Sequence, residues 1–405
     1  MIKFIYIFFI IFLLGCQHFQ TLREDKPGTL TNLTLIGYQG WFNTPRDGIG
    51  AGWQHWSRDS KKVTPQTVTF ELYPDVQDYP RSSLVPTGLG LLGNGTKSVL
   101  FSSADKEVVK THFKWLNQYN LDGLVLQRFI STMSDAKRLK SANFVTSEIA
   151  RQSALNNKHF YFMYDISNSQ ADFINDIKAD FTAHLENYTL SNPKYVKAFG
   201  KPVIGIWGFG FTHRPGTKEE AFEIIRWFKQ KGYYVVGGVP FYWREGGRAT
   251  KADWLDVFKS FDMLMPWSIG AIDSLAAVEK NYVDIVKKDV EFCKQRGIGY
   301  QPVIFPGFAW SNWKKGTRNF IPRLGGKFMW AQAEQAKILN LSAYIAMFDE
   351  YDESTAIAKA ATDKSKIPRS KYFLTLDADG EKLSSDFYLK LTGKVTQLLR
   401  QDSKQ

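Results

Sequence analysis

The chain has 405 residues, 44% of them hydrophobic and 15% aromatic, with a formal net charge of +12 and two cysteines. That length and apolar content suit one large α/β domain, or two smaller ones, and exclude a disordered or fibrous chain. The lysines are dispersed without a basic run, the histidines are scattered, and no Cys/His cluster has zinc spacing. Nucleic acid is therefore not an expected partner, and no metal or cofactor is implied.

Residues 1–15 read as a signal peptide: Lys3 precedes an apolar run from Phe4 to Leu14 that is too short to span a bilayer. Leu13-Leu14-Gly15-Cys16 resembles the bacterial lipobox, which implies cleavage before Cys16 and lipidation of its sulfur. Gln17, rather than an aspartate, is compatible with sorting to the outer membrane, so a lipid-anchored envelope protein is expected. Polar residues 16–30 read as a tether and 31–400 as the folded domain, expected to be a monomer. Cys293 shares a helical face with Tyr282, Val286 and Val290 and reads as buried filler. A disulfide within the mature chain would have to use the lipidated residue and is excluded.

Eight short apolar, β-branched or aromatic runs read as strands: Leu33 to Gln39, Gly123 to Phe129, His159 to Asp165, Pro202 to Gly208, Tyr233 to Val239, Met263 to Trp267, Tyr300 to Pro306 and Ala343 to Glu350. Helical windows lie between them near 105–119, 143–156, 170–186, 217–231, 251–259, 276–296 and 327–339, with a last helix ending near Arg400. The fourth window is the clearest. Thr217 and Glu220 form a capping box, Ala221, Ile224, Ile225 and Phe228 share one face, and Gly232 ends it. The alternation predicts an α/β fold, a (β/α)8 TIM barrel in a single domain. Residues 42–104 form a long excursion after the first strand, with a hairpin expected at Thr67 to Tyr73 and an extended run at Ser98 to Ser102.

Barrels of this class carry their sites at the C-terminal ends of the strands. Those ends supply Trp41, with Trp53, His55 and Trp56 soon after; then Gln127 and Arg128; Asp165; Trp207; Tyr242 and Trp243; Trp267; and Phe308 and Trp310. Aromatic faces stack on the C–H faces of sugars while Gln, Asp, Arg and His bond hydroxyls, so the set describes a saccharide cleft. Taken singly, most of these aromatics would be core; their shared location shifts the balance. Trp115, Trp254 and Trp330 lie in helical windows and read as packing. For Arg128, Arg244 and Arg323, pairing with carboxylates and clamping an anionic substituent both remain open.

The eighth end is Phe348-Asp349-Glu350-Tyr351-Asp352-Glu353-Ser354. Four carboxyls within five residues repel one another and raise the pKa of at least one, which keeps a proton donor available near neutral pH. Cleavage of a glycosidic bond needs one protonated carboxyl and one ionised partner. The plainer account, acids complementing a helix N-terminus, does not require four of them.

With the barrel, Tyr38-Gln39-Gly40-Trp41, Glu350 and Glu353, the chain resembles bacterial glycoside hydrolase family 71/99-like proteins over about residues 33 to 395. It is more distantly similar to family 99 endo-α-mannosidases and family 71 α-1,3-glucanases. Family 99 carries Asn-Glu-Trp-His-Glu after its last strand, behind an Arg-x-x-Gly segment and a helix. The matching stretches here are Asp349-Glu350-Tyr351-Asp352-Glu353 and Arg323-Leu324-Gly325-Gly326. The resemblance implies retaining hydrolysis, with Glu350 as general base on the sugar 2-hydroxyl and Glu353 as general acid and base. It also places Tyr38 near the catalytic sugar. Tyr351 and Asp352 replace the family's Trp and His. The expected partner is a polysaccharide or oligosaccharide; the alternative is a non-catalytic glycan-binding lipoprotein.

Overall fold

The computed structural model describes residues 30–170 and 172–400. The signal peptide, Cys16 and nearly all of the tether lie outside them. Eight parallel segments form the central sheet: Leu35–Tyr38, Gly123–Phe129, His159–Asp165, Lys201–Trp207, Tyr234–Pro240, Met263–Trp267, a split seventh made of Gly299–Tyr300 and Val303–Ile304, and Tyr344–Ile345. Each of the first five pairs with its successor. The sixth pairs with the first half of the seventh, whose second half pairs with the eighth, and the eighth pairs with the first. The ring thus closes through the split strand. Pro302, which has no N–H to donate, sits at the break and accepts from Tyr344 N at 3.0 Å.

A strand faces the barrel interior with every second residue. Contacts between non-adjacent strands identify the inner set. Trp207 and Trp267, from the fourth and sixth strands, have ring centroids 5.4 Å apart. Gly238 on the strand between them makes room, because a Cβ there would lie 2.3 Å from the Trp207 ring. Gln127 Nε2 likewise donates to the Tyr344 hydroxyl at 2.9 Å. Gly37 lies on the intervening first strand, where a Cβ would fall 2.0 Å from that oxygen. Alternate residues, among them Tyr38, Arg128 and Tyr164, therefore point outward to the helices.

The outer layer contains Lys106–Gln118, Ala136–Asn156, Phe173–Asp180 running on to Ser191, Lys218–Gln230, Leu275–Asn281 running on to Lys294, Lys327–Ile338 and Phe387–Leu399. The capping box at Thr217 is formed in both directions, at 2.7 and 3.2 Å. Cys293 is buried. Three local expectations are corrected. The helix expected from 143 begins at Ala136, capped by Asp135, whose carboxylate accepts from Lys137 N and Arg138 N. The window at 251–259 yields only Leu255–Phe258. The hairpin is not at Thr67 to Tyr73 but pairs Val85–Leu91 with Lys97–Leu100, around the Gly93-Asn94 turn that Gly95 N closes on Leu92 O. Residues 67–73 instead run against the acidic loop, where Glu71 N and Leu72 N donate to Tyr351 O.

Candidate active site

The acidic motif leaves the eighth strand and is pinned from three sides. Phe348 N donates to Gly37 O at 2.7 Å, extending the pairing of the eighth strand with the first. Asp349 then staples the two ends together, its oxygens accepting from Gln39 N at 2.7 Å and Gly40 N at 2.9 Å. Gly40 has φ +62°, and a Cβ there would press on Val145 at 2.7 Å, so glycine is needed at this close approach. The staple presents the Gln39 side chain to Glu350: Nε2 donates to Oε2 at 2.9 Å. Glu350 O accepts from Thr355 N and Ala356 N, both at 3.1 Å, which turns the loop back. Glu353 O accepts from Ala309 N at 2.9 Å, tying the loop to the seventh strand's end.

This construction buries charge. Glu350 is 5% exposed, and burial, then the charges of Glu353 and Asp352, push its pKa well above the usual carboxylate range. Burial and then Asp352 push Glu353 up to about 7, opposed by Arg214 and Lys314. Asp349 is pushed up to about 7 by burial against the pull of the Gln39, Gly40 and its own backbone N–H groups. Burial also raises Asp165, at the end of the third strand, to about 6. Burial thus favours the protonated form of both Glu350 and Glu353, the condition under which a carboxyl serves as a proton donor near neutral pH.

Several aromatic candidates stand at the same ends of the strands. Trp41 stacks face to face on His55, centroids 3.8 Å apart and planes 6° apart. His55 Nδ1 lies 3.2 Å from Asp352 Oδ2. Trp207 and Trp267 meet edge to face at the barrel mouth, and Trp310, half-buried, packs on Phe308 at 5.0 Å. Gln127 and Asp165 are inward residues at their strand ends. Tyr242 is half-buried and carries Arg248 over its ring at 4.0 Å.

Other candidates are corrected. Tyr38 faces outward, fully buried, with its hydroxyl 2.8 Å from His112 Nδ1, so it supports the helix Lys106–Gln118 and not a sugar. Arg128 also faces outward and is paired with Asp180, which accepts from its Nε at 2.8 Å and from Tyr164 Oη at 2.8 Å. Trp53 and Trp56 are buried, the Trp56 indole N–H donating to Phe101 O at 2.8 Å. Trp243 is buried beside Phe258 and Phe292. Tyr351 is buried against Phe42, Trp56 and Phe101. Arg323 donates to Ser354 O at 2.8 Å and Ala356 O at 2.7 Å, bracing the acidic loop from beneath. Arg244 pairs with Asp289 at 2.6 Å.

Three residues were missed. Gln39 follows Gly37 by two positions, so strand parity could have placed it inward beside the carboxylates. Asp349 was visible only as part of the acidic run. Arg214, whose guanidinium lies 5.2 Å from the Trp207 ring centre and whose charge acts on both Asp165 and Glu353, sits in a loop that carries no periodic signal.

No family model matches the sequence, and no curated protein matches it. Solved structures do. The GH99 endo-α-mannosidase from Bacteroides thetaiotaomicron is 17% identical, with a TM-score of 0.64 over 92% of this chain and 98% of that one. The same enzyme in complex with bis-tris propane gives 16% identity and a TM-score of 0.64. A structure described as a glycoside hydrolase-like protein is 13% identical, with a TM-score of 0.53 over 82% of this chain and 95% of that one. The chain thus shares the (β/α)8 barrel fold of the GH99 endo-α-mannosidases.

Proposed function

We propose that this protein is a glycoside hydrolase that cleaves a polysaccharide or glycan at α-linkages with retention. One observation carries the reading: Glu350 and Glu353 stand on one pinned loop at the barrel mouth, both held above the usual carboxylate range by burial and by neighbouring carboxylates, with Gln39 orienting the first of them. Glu350 takes the proton of the sugar 2-hydroxyl as O2 attacks C1, while Glu353 protonates the departing glycosidic oxygen. A 1,2-anhydro sugar results. Water then attacks C1, losing its proton to Glu353, and O2 recovers its proton from Glu350, as microscopic reversibility requires. Trp267 and Trp310, both half-buried at strand ends, supply stacking surfaces for more than one sugar, which favours action within chains.

Leu13-Leu14-Gly15-Cys16 supports attachment to the cell envelope through lipidated Cys16. Cys16→Ala is expected to release the protein from membranes with unchanged specific activity.

The decisive experiment incubates the soluble domain with α-mannans, α-glucans and sulfated or uronate-containing polysaccharides, and measures released oligosaccharides by mass. Products from the wild type but from neither Glu350→Gln nor Glu353→Gln are expected, with glycan retention in affinity gels preserved in both variants. Retention without products from the wild type would make it a binding protein.

A further inference from the structure

Among the described residues, Arg128, Arg214, Arg244 and Arg323 are the arginines that are buried or half-buried. Three of them are engaged: Arg128 by Asp180, Arg244 by Asp289, and Arg323 by the carbonyls of Ser354 and Ala356. The Arg214 side chain has no hydrogen bond and no ion pair among the described residues. Its Nε is buried, whereas Nη1 and Nη2 are not. Charges drawn partly out of water are normally paired, so two open, charged amino groups call for an anion.

Arg214 is held in place. Its guanidinium lies 5.2 Å from the centre of the Trp207 ring. Its loop is tied to the one that follows the fifth strand: Thr212 N donates to Ala249 O at 2.9 Å, and Lys251 N to Gly210 O at 2.7 Å. Arg214 N closes a turn on Phe211 O at 3.1 Å. A guanidinium fixed in this way loses little freedom when it takes a ligand.

The charge of Arg214 acts on Asp165 and Glu353, at the ends of the third and eighth strands, which puts it at the barrel mouth. Neither carboxyl comes within ion-pair distance of it. Glu353 feels a second cation, Lys314. That lysine ends the short helix Ser311–Lys314 and is exposed, with no ion pair among the described residues. Two unpaired cations thus act on the group assigned as acid. The acid must hold its proton when the reaction begins, and a neutral carboxyl offsets neither charge, so compensation is left to the bound substrate. A guanidinium has five donors, no acceptor and a planar fork that fits two oxygens of one carboxylate or sulfate. A lysine adds attraction without fixing orientation.

We propose that Arg214, assisted by Lys314, binds an acidic group on the glycan, a uronate carboxylate or a sulfate ester, and that the substrate is an anionic polysaccharide. The proposal rests on the glycan reading above and adds the charge of the substrate. The net charge of +12 acts in the same sense at longer range, steering a polyanion to the protein.

The test uses the full chain with Glu353→Gln, which should not turn over substrate and lacks the carboxyl on which Arg214 also acts. In affinity gels at neutral pH, each sulfated polysaccharide of the panel is run beside its desulfated form, and each uronate-containing one beside its carboxyl-reduced form. Retention by an anionic member and not by its neutral counterpart is expected, and the pair that responds tells sulfate from carboxylate. Adding Arg214→Gln should weaken that retention by about 10- to 100-fold. Arg214→Lys keeps the charge, loses the fork and should give a smaller loss, with melting curves checking that both variants fold. Arg226→Gln removes the same charge from an exposed position on the helix Lys218–Gln230 and should change nothing. No retention, equal retention of charged and neutral forms, retention indifferent to Arg214→Gln, or equal losses in Arg214→Gln and Arg226→Gln would each overturn the proposal. Hydrolysis by the wild type is scored separately. Products from a neutral glycan, unaffected by Arg214→Gln, would sink the anion site and keep the hydrolase. Arg214-dependent retention of an anionic glycan without products would keep the site and sink the hydrolase.

Discussion

Gln39 Nε2 donates to Glu350 Oε2 at 2.9 Å, joining residues 311 positions apart in the chain. Barrel closure creates the contact, because the eighth strand pairs with the first. Asp349 makes it rigid by taking the Gln39 and Gly40 backbone N–H groups one residue before Glu350. The orientation of the candidate base is thus set by the strand most distant from it in sequence.

Replacing that amide should cost catalysis more than stability. A hydrogen bond to a charged group contributes about 1.5–3 kcal/mol, so Gln39→Leu should lower kcat by roughly 10- to 100-fold. Asp349 still staples the two strands in this variant, so the melting temperature should change little. Steady-state kinetics beside a melting curve checks this, and an unchanged kcat would remove Gln39 from the machinery.

Asp352 is the largest electrostatic influence holding Glu353 up to about 7, after burial itself. The other groups acting on Glu353 are Asp165, which reinforces Asp352, and Arg214 and Lys314, which oppose it. Glu353 must be protonated to act as acid, so the alkaline limb of kcat/KM should fall near that value. Asp352→Asn removes an anion and lowers the Glu353 pKa, moving the limb toward lower pH by about one unit. A pH–rate profile decides it. A limb that stays in place would mean that another group controls it.

Much of this was legible because barrel strands write their own signal. Gly123–Phe129, His159–Asp165 and Met263–Trp267 form where apolar runs predicted them, since strands buried on both faces need unbroken apolar stretches. The fully buried runs hid direction. Tyr38, Arg128 and Trp243 stand at strand ends as expected, but they turn to the helices. Only period-two parity, counted from inward glycines such as Gly37 and Gly238, separates Gln127 from Arg128. The acidic motif was visible as composition. Its bracing was not, because Arg323 acts through two carbonyls and His55 reaches Asp352 from a loop nearly three hundred residues away.

Arg128 offers a contrast to the site residues. Its pair with Asp180 is buried, the two side chains being 2% and 4% exposed, and Tyr164 shares the same carboxylate. Removing one partner leaves an uncompensated charge, so Asp180→Asn should destabilise the fold by about 3–5 kcal/mol. Activity per folded molecule should be retained. Denaturant melts and assays on the same samples test both halves, and a selective loss of kcat would return Arg128 to the active site.

The carboxyl cluster should also shape stability against pH. Unfolded carboxyls ionise near 4, whereas Asp165 holds its proton to about 6 and Asp349 and Glu353 to about 7 in the fold, and burial also raises Glu350 well above the usual carboxylate range. Between these limits the folded state binds more protons than the unfolded one, so the stability these groups contribute below about 4 is lost as pH rises through 6 to 7. Asp386 works in the opposite sense: its pKa is lowered to about 2, so its contribution is present above 4 and fades only in stronger acid. The melting temperature should therefore peak on the acid side of neutrality and decline toward pH 8. Glu350→Gln keeps the shape and the Gln39 contact but has no charge to bury, so it should melt higher than the wild type at pH 8 and close to it at pH 4.5. An inactive variant that is more stable only in alkali would mark Glu350 as a group whose charge the fold tolerates for chemistry. A variant that melts lower at pH 8 would show instead that the ionised carboxylate is part of what holds the barrel mouth together.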